Sequence, residues 1–448
     1  MIKKEARFRG AYNLENFRFV FRALKHRNYR LFFGGQSISL VGTWMQQVAM
    51  SWLVYRLTNS ALLLGIVGFA GQIPAFLLSP FAGVVADRYN RHRILIVTQT
   101  LAMLQAAVLS VLVFSHHIAV WQILVLSLFL GLINSFDIPV RQAFTIEMIE
   151  DKSDLGNAIA LNSSVVNLAR MIGPSVAGIL IAVLGEGVCF LFNAISYIAV
   201  IVSLLAMRIA PKERRPFSHH VLHDLKEGFV YVFNFSPIKD ILMLLALVSL
   251  MGVPYQVLMP IFARDIFHGG PKTLGFLIAM SGIGALTGAI YLAGRKSVVG
   301  LGRIIAQSSV LFGLGVFVFS FSRVLWFSMA VIFVAGFAMM VQMAASNTVL
   351  QTIVEEDKRG RVMSFYTMAF MGMSPFGCLL AGSLAQKIGA PHTLMIGGAC
   401  CIIGGFLFIR KLPSLREKIH PIYIKKGIIP EVALGIGAAS GIEVLPEK

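Results

Sequence analysis

Residues 83–93, GVVADRYNRHR, separate two long apolar stretches and carry one aspartate and three arginines. The flanking residues, 60–82 and 94–114, contain no charged side chain. Because a helix needs about 20 apolar residues to cross a bilayer core, each flank is long enough to form a membrane-spanning helix. Arginines in short loops are retained on the cytoplasmic side. The stretch therefore predicts two transmembrane helices joined by a short cytoplasmic loop.

The same pattern of long apolar stretches recurs along the whole chain. The 448 residues are 57% apolar and 13% charged, and the mean hydropathy is +0.77, which is too apolar for a soluble globular protein. We predict an all-α membrane protein with twelve transmembrane helices in two six-helix bundles. The predicted spans are residues 29–56, 60–86, 94–114, 118–148, 155–184, 188–207, 241–262, 273–293, 304–321, 325–352, 362–385 and 393–409.

The basic residues are distributed unevenly between the two sides of these spans. If the N-terminus is inside, the outer loops keep only a few of them: Arg56, Arg264, Lys272, Arg323 and Lys387. This asymmetry places both termini in the cytoplasm. The formal net charge of +18 then indicates contact with anionic membrane lipids rather than with nucleic acid.

A hydrophilic stretch, residues 208–239, divides the spans six and six, and the halves resemble each other. Residues 58–65, TNSALLLG, have a counterpart in residues 268–275, HGGPKTLG. Such a repeat predicts two bundles with a substrate cavity between them near the membrane midplane. The predicted units are a basic N-terminal segment (1–28), an N-terminal bundle (29–207), a cytoplasmic linker (208–239), a C-terminal bundle (240–411) and a cytoplasmic tail (412–448).

The loop at residues 83–93 resembles the signature loop of the major facilitator superfamily, a glycine followed four residues later by Asp-Arg and further basic residues. Four further motifs are similar to those of the twelve-helix siderophore and drug exporters, the branch that includes the enterobactin exporter and macrolide efflux proteins. They are residues 134–144 (NSFDIPVRQAF), 157–162 (NAIALN), 173–178 (GPSVAG) and 359–364 (RGRVMS). The resemblance implies a monomeric exporter of small molecules in a bacterial inner membrane that works by alternating access.

The signature loop contains a candidate cytoplasmic latch. Asp87 and Arg91 are one helical turn apart, so they can pair, and Glu147 at the inner end of the fourth span can extend the pair. The resemblance implies contact with the start of the eleventh helix. The alternative is that these charges only set the topology. The candidate latch residues are Gly83, Asp87, Arg88, Arg91, Glu147 and Arg361.

Away from helix ends, the predicted spans contain three charged residues: Asp137, Arg141 and Arg170. A charge at membrane depth costs on the order of 2.5–3.5 kcal/mol, so we expect these side chains to cluster at the cavity. Proton coupling through Asp137 is the functional interpretation, and an ion pair that joins two helices is the structural one. Drug–proton antiporters of this superfamily carry an arginine before the glycine of the fourth span. Here Ser127 precedes Gly131 without one, which puts that coupling route in doubt.

Polar and aromatic side chains in the spans are candidates for the substrate cavity, because such cavities are mostly apolar with few polar groups. Each of them has an alternative role in an interhelical hydrogen bond. The candidates are Gln36, Trp44, Gln47, Asn162, Asn167, Asn193, Tyr255, Gln256, Gln342 and Asn347.

The sequence offers little support for catalysis. It has no Walker lysine loop, dinucleotide fingerprint or HExxH motif, and its four cysteines have no metal-ligand spacing. We therefore expect no enzyme activity, cofactor or metal, and we expect a small-molecule substrate and protons as partners. Two alternatives stay open: a facilitator that moves lysophospholipid or another lipid, and a non-transporting membrane receptor.

Overall fold

The computed structural model describes residues 21–209, 221–295, 297–356 and 358–428. All regular secondary structure in these ranges is helical, and twelve long helices follow the twelve predicted spans. They are α1 (Arg27–Thr58), α2 (Ala61–Arg88), α3 (Arg91–Phe114), α4 (Val120–Glu147), α5 (Leu155–Leu184), α6 (Glu186–Leu205), α7 (Ser236–Ile266), α8 (Pro271–Ala293), α9 (Leu301–Phe321), α10 (Leu325–Ile353), α11 (Arg359–Ile388) and α12 (Ala390–Lys425). Two shorter elements precede the bundles: a 3₁₀ turn at Arg22–Lys25 and a linker helix at Val221–Asn234.

Eleven of the twelve helices are long and apolar enough to cross a membrane by composition alone, and α1 is the exception. Its sequence includes Gln36, Gln46 and Gln47, which lower its mean hydropathy. These polar groups are tolerated because much of α1 packs against α5 and α6. The predicted all-α fold with twelve spanning helices in two bundles is confirmed.

The last helix is longer than the sequence pattern predicted. α12 does not end at residue 409 but continues to Lys425, within the segment expected to be a tail. Leu415, Ile419 and Tyr423, one turn apart, are buried along its extension. Lys426 then donates to the carbonyl oxygens of Thr352, at 2.7 Å, and of Val354. The stripe of buried apolar residues and the hydrogen bonds of the Lys426 side chain thus hold the extension against the end of α10.

Two helices of the C-terminal bundle contain wide, π-helical turns. In α7 these are Val248–Gly252 and Phe262–Ile266, and in α11 the turn is Met368–Gly372. Pro254 follows the first of them, and because proline lacks an amide hydrogen it leaves an upstream carbonyl free. The hydroxyl of Ser249 donates to the carbonyl of Phe370, which joins the π-helical turns of α7 and α11.

The loops of the two bundles repeat the same backbone geometry. Between α1 and α2, Asn59 has φ of 49°, and between α7 and α8, His268 also has φ of 49°. Gly185, between α5 and α6, has φ of 85°, and Gly389, between α11 and α12, has φ of 86°. Positive φ values are rare for residues other than glycine. Their recurrence in equivalent loops of the two bundles therefore supports the internal repeat seen in the sequence.

The two bundles meet along two equivalent helix pairs, α2 with α11 and α5 with α8. At Gly65 an added Cβ atom would lie 2.9 Å from the Cα of Gly382. At Gly178 an added Cβ atom would lie 3.1 Å from the Cα of Gly275. All four glycines lie near the ends of their helices on one side of the molecule. We call this side the closed face, and the other side, where α1 begins and α2 ends, the basic face.

Candidate functional site

Asp137 is the centre of a buried polar group in the N-terminal bundle. Its carboxylate forms an ion pair with Arg141, one turn further along α4. It also accepts hydrogen bonds from the Thr98 hydroxyl and the Gln99 amide of α3, each at 2.8 Å. The Asp137 side chain is 3% exposed, whereas that of Arg141 is 24% exposed. The carboxylate therefore has an ion-pair partner on its own helix and two hydrogen-bond donors on the neighbouring helix.

Arg170 lies apart from that group, so the predicted cluster of three charges is wrong in this respect. Its guanidinium carbon lies 5.6 Å from the ring centroid of Trp44, above the face of the indole. Among the residues that the structure describes, no carboxylate and no hydrogen-bond acceptor contacts this guanidinium. The backbone carbonyl of Arg170 lies at the contact with Gly282 of α8, where the two bundles meet.

Asn193 lies inside the N-terminal bundle and not at the predicted cavity. It is 1% exposed, and its amide donates to the Gln46 side-chain oxygen at 2.7 Å. Gln46 donates in turn to Gln105 at 2.9 Å, and Gln105 donates to the carbonyl of Leu126. This chain of amides links α6, α1, α3 and α4, which is the structural alternative considered for such residues.

Two of the predicted cavity residues in the C-terminal bundle are also buried between helices. Tyr255 is fully buried and shares a hydrogen bond of 2.6 Å with Ser281. Gln342 is 1% exposed, and both of its amide atoms lack a partner among the described residues. The other two keep accessible surface: Gln256 donates to the Tyr255 hydroxyl at 3.4 Å, and Asn347 accepts from Gln351 at 2.6 Å.

The remaining candidates lie on α1 and α5. Gln36 is 8% exposed, and its side-chain oxygen has no partner among the described residues. Trp44 and Gln47 keep accessible surface on α1. Asn162 accepts a hydrogen bond from the Tyr29 hydroxyl at 3.1 Å, and Asn167 donates to the carbonyl one turn earlier at 2.8 Å. Of these, Trp44 is the one that contacts a charged group of the spans.

The latch residues are only partly brought together. Arg91 forms an ion pair of 2.8 Å with Glu147, as the sequence predicted for the inner ends of the third and fourth spans. Arg361 pairs at 2.8 Å with Glu227 of the linker helix. Arg88 is exposed at the end of α2. The surroundings of Gly83 and the side chain of Asp87 lie outside the part of the structure that is described, so the Asp87 contact stays a prediction.

Sequence reasoning missed a polar contact between the bundles at the closed face. The Tyr55 hydroxyl of α1 donates to the Asp265 carboxylate of α7. Beside it, Arg264 donates to the Asn59 side-chain oxygen at 2.7 Å and lies 5.8 Å from the Tyr55 ring centroid. Each residue lies at a helix end, where charges are ordinary, so no signal in the sequence singled out the contact.

A second missed group surrounds Asp154, whose side chain is 3% exposed at the start of α5. Three groups from the N-terminal 3₁₀ turn and its end contact this carboxylate: Lys25 at 2.6 Å, His26 at 3.0 Å and Arg22 at 3.2 Å. The hydrogen bond to Asp154 raises the pKa of Lys25 above its usual value. The 3₁₀ turn at Arg22–Lys25 is therefore docked on the start of the fifth helix of the first bundle.

Twelve membrane-spanning helices in two bundles that meet at α2 with α11 and at α5 with α8 define a multi-pass membrane transporter of the major facilitator fold. A family model described as a transmembrane secretion effector matches residues 20–442. The chain belongs to this family and is a transporter, not an enzyme. The resemblance stated from the sequence motifs is confirmed.

Individual relatives cover most of the chain. It is 29% identical over 399 residues to the staphyloferrin A transporter of Staphylococcus aureus (strain NCTC 8325 / PS 47), covering 88% of this chain and 99% of that protein. It is 23% identical over 392 residues to macrolide efflux protein A of Streptococcus pyogenes, covering 84% of this chain and 95% of that protein. Its fold is similar to the crystal structure of a bacterial homologue of the human lysosomal transporter Spinster, with a TM-score of 0.68, 11% identity and coverage of 87% and 98%.

Proposed function

We propose that this transporter is a monomeric secondary active exporter of small amphipathic molecules, siderophore-like or drug-like, in the bacterial inner membrane. The excess of lysine and arginine at the basic face supports its placement in the cytoplasm, with both termini inside and anionic lipids around it. The family match supports transport, and the relatives named for a siderophore and for macrolides support this range of substrates.

Alternating access is supported by the way the bundles meet. With the basic face in the cytoplasm, the glycine contacts of α2 with α11 and of α5 with α8 seal the outer side. The described conformation is then closed to the outside, the state that receives substrate from the cytoplasm. Because glycine contacts have no interlocking side chains, the bundles can separate there without repacking. The polar contact of Tyr55 with Asp265 forms and breaks with this closure.

On the cytoplasmic side, the latch closes in the opposite state. Gly83, Asp87, Arg88, Arg91, Glu147 and Arg361 are its proposed members. The ion pair of Arg91 with Glu147 supports this role, because it already joins α3 to α4 at the basic face. In the state open to the outside, the start of α11 approaches this pair, and Arg361 exchanges its contact with Glu227 for one with the signature loop.

Proton coupling through Asp137 is carried by one observation. It is the sole carboxylate away from the helix ends in the predicted spans, and its only ion-pair partner among the described residues, Arg141, is the more exposed of the two. Removing Arg141 from the pair leaves a buried carboxylate without its counter-charge, which favours protonation. Substrate that draws Arg141 away therefore promotes proton uptake, and proton release returns the pair. Export and proton movement are coupled through this exchange.

The test uses purified protein in proteoliposomes with an imposed proton gradient and two dyes, the organic anion 5-carboxyfluorescein and the amphipathic Hoechst 33342. The wild type should extrude at least one dye in a gradient-dependent way. Asp137→Asn should abolish this extrusion while it still binds the dye. Glu355→Gln, which removes an exposed carboxylate at the basic face, should behave like the wild type. Gradient-driven extrusion by Asp137→Asn at the wild-type rate would remove Asp137 from the mechanism.

A further inference from the structure

Arg170 is a charge without a counter-charge in the part of the chain that the structure describes. Of the three charged residues in the predicted spans away from helix ends, Asp137 and Arg141 neutralise each other, which leaves one net positive charge on Arg170. A charge at this depth costs on the order of 2.5–3.5 kcal/mol and marks a functional site unless it is paired. The six predicted spans of the C-terminal bundle contain no acidic residue, and the acidic residues of α7, Asp240 and Asp265, lie near the ends of that helix.

The surroundings of Arg170 are those of a ligand site rather than of a buried structural arginine. Arg170 and Trp44 are both partly exposed residues, and the guanidinium of Arg170 lies over the face of the Trp44 indole. An indole face orients the cation but accepts no strong hydrogen bond, so the five N–H donors of the guanidinium stay available. A planar fork of this kind binds carboxylates with two parallel hydrogen bonds.

The position of Arg170 connects it to the moving contact between the bundles. Its carbonyl faces Gly282 of α8, so the α5–α8 interface includes the backbone of this residue. When α8 shifts against α5, the space around the guanidinium changes. A ligand bound to Arg170 is therefore bound where the two halves of the molecule meet, at mid-depth in the membrane.

We propose that Arg170, supported by Trp44, binds a carboxylate group of the exported substrate, so that the transporter selects small organic anions. The inference rests on the proposed export function and narrows its substrate class. The arginines and lysines of the basic face suit this class, because they raise the local concentration of anions at the cytoplasmic entrance. The substrate carboxylate supplies the missing counter-charge, and an apolar part of the molecule packs on the exposed indole.

Binding is measured by fluorescence polarisation of 5-carboxyfluorescein with purified, detergent-solubilised protein. Arg170→Gln should weaken binding roughly tenfold to hundredfold, the range expected for losing hydrogen bonds to a charged group. Arg170→Lys should keep part of the affinity, and Trp44→Phe should lose less than Arg170→Gln. Arg323→Gln removes the same charge from an exposed position in a loop of the closed face and should leave binding unchanged. Equal affinity of Arg170→Gln and wild type would overturn the assignment.

A ligand pair tests the same point in the unmodified protein, whatever the stability of the variants. Unlabelled 2-naphthoate should displace the dye at much lower concentration than 2-naphthamide, which has the same shape but no charge. Equal displacement by the two would overturn the proposal. Failure of the inference is distinguishable from failure of the export function: gradient-driven extrusion of Hoechst 33342 without any preference for naphthoate leaves an exporter whose substrates are not anions.

Discussion

The two bundles share a backbone plan but differ in what they hold inside the membrane. The N-terminal bundle contains the pair of Asp137 with Arg141, the unpaired Arg170 and a chain of buried amides. The six predicted spans of the C-terminal bundle contain no charged residue. Instead, every π-helical turn among the described residues lies in that bundle, in α7 and α11. Because π-helical turns interrupt the regular ladder of a helix, we infer that charges bind and couple in one bundle while helices flex in the other.

A short element precedes each bundle and forms ion pairs with the fifth helix of that bundle, but the signs of the charges are reversed between the two contacts. The N-terminal turn brings Arg22, Lys25 and His26 to Asp154 at the start of α5. The linker helix brings Glu227 to Arg361 at the start of α11. These are equivalent helices of the two halves, so the 3₁₀ turn and the linker helix each contact the fifth helix of the bundle that follows. We infer that this opposite polarity disfavours contact of either element with the fifth helix of the other half.

The largest expected effect tests the charges of the N-terminal bundle. Asp137→Ala leaves the Arg141 guanidinium without its counter-charge, and breaking a buried pair in this way costs about 3–5 kcal/mol. We expect a corresponding loss in the free energy of unfolding, measured by denaturant titration of the purified protein. Since Thr98 and Gln99 lose their acceptor as well, the single variant alone does not isolate the charge.

The matched control is the double variant Asp137→Ala with Arg141→Met, which loses the same two hydrogen bonds but has no unpaired arginine. It should recover most of the lost stability while remaining inactive in export. A double variant as unstable as the single one would mean that the hydrogen bonds from α3, and not the ion pair, hold this part of the bundle together.

Much of the fold was predictable because membrane depth imposes a length on every span. Twelve apolar stretches, their loops and the repeat follow from hydropathy and from the distribution of arginine. The sequence did not predict the π-helical turns, because the hydrogen-bond pattern around Pro254 depends on contacts with α11. It also did not predict the extension of α12, because the buried residues Leu415 and Ile419 are separated in the sequence by exposed polar residues.

The candidate site was predictable in its residue types but not in its pairing. A charge at membrane depth is evident from the sequence, and Asp137, Arg141 and Arg170 were found in this way. Helical spacing correctly joined Asp137 to Arg141, which lie on one helix. The partner of Arg170 depends on how α1 rotates against α5, and no periodicity within one helix determines that rotation. The same limit explains why Asn193 and Tyr255 were expected at the cavity although both are buried.

The same substitution, glutamine to leucine, is expected to change the free energy of unfolding in opposite directions in the two bundles. Gln46→Leu removes the middle of the amide chain and leaves the Asn193 amide and the Gln105 oxygen unpaired, at a cost of about 1–3 kcal/mol. Gln342→Leu removes an amide that has no partner among the described residues, so it should stabilise by about 1 kcal/mol. Both changes in the free energy of unfolding are measured by denaturant titration of the purified variants. Destabilisation by Gln342→Leu would indicate that the amide is paired in solution, for instance by a buried water.

The smallest expected effect compares two buried serines of the C-terminal bundle. Ser249 and Ser309 are both fully buried, but only the Ser249 hydroxyl has a partner among the described residues, the Phe370 carbonyl in the π-helical turn of α11. Ser249→Ala should therefore lower the free energy of unfolding by about 1 kcal/mol, whereas Ser309→Ala should be neutral or slightly stabilising. Because the Ser249 bond joins the two helices that we infer to flex, its loss should also change the dye extrusion rate, and Ser309→Ala should not. If both variants change stability and extrusion equally, the bond between the π-helical turns has no special role, and the contrast between a charged and a flexing bundle loses its support on the C-terminal side.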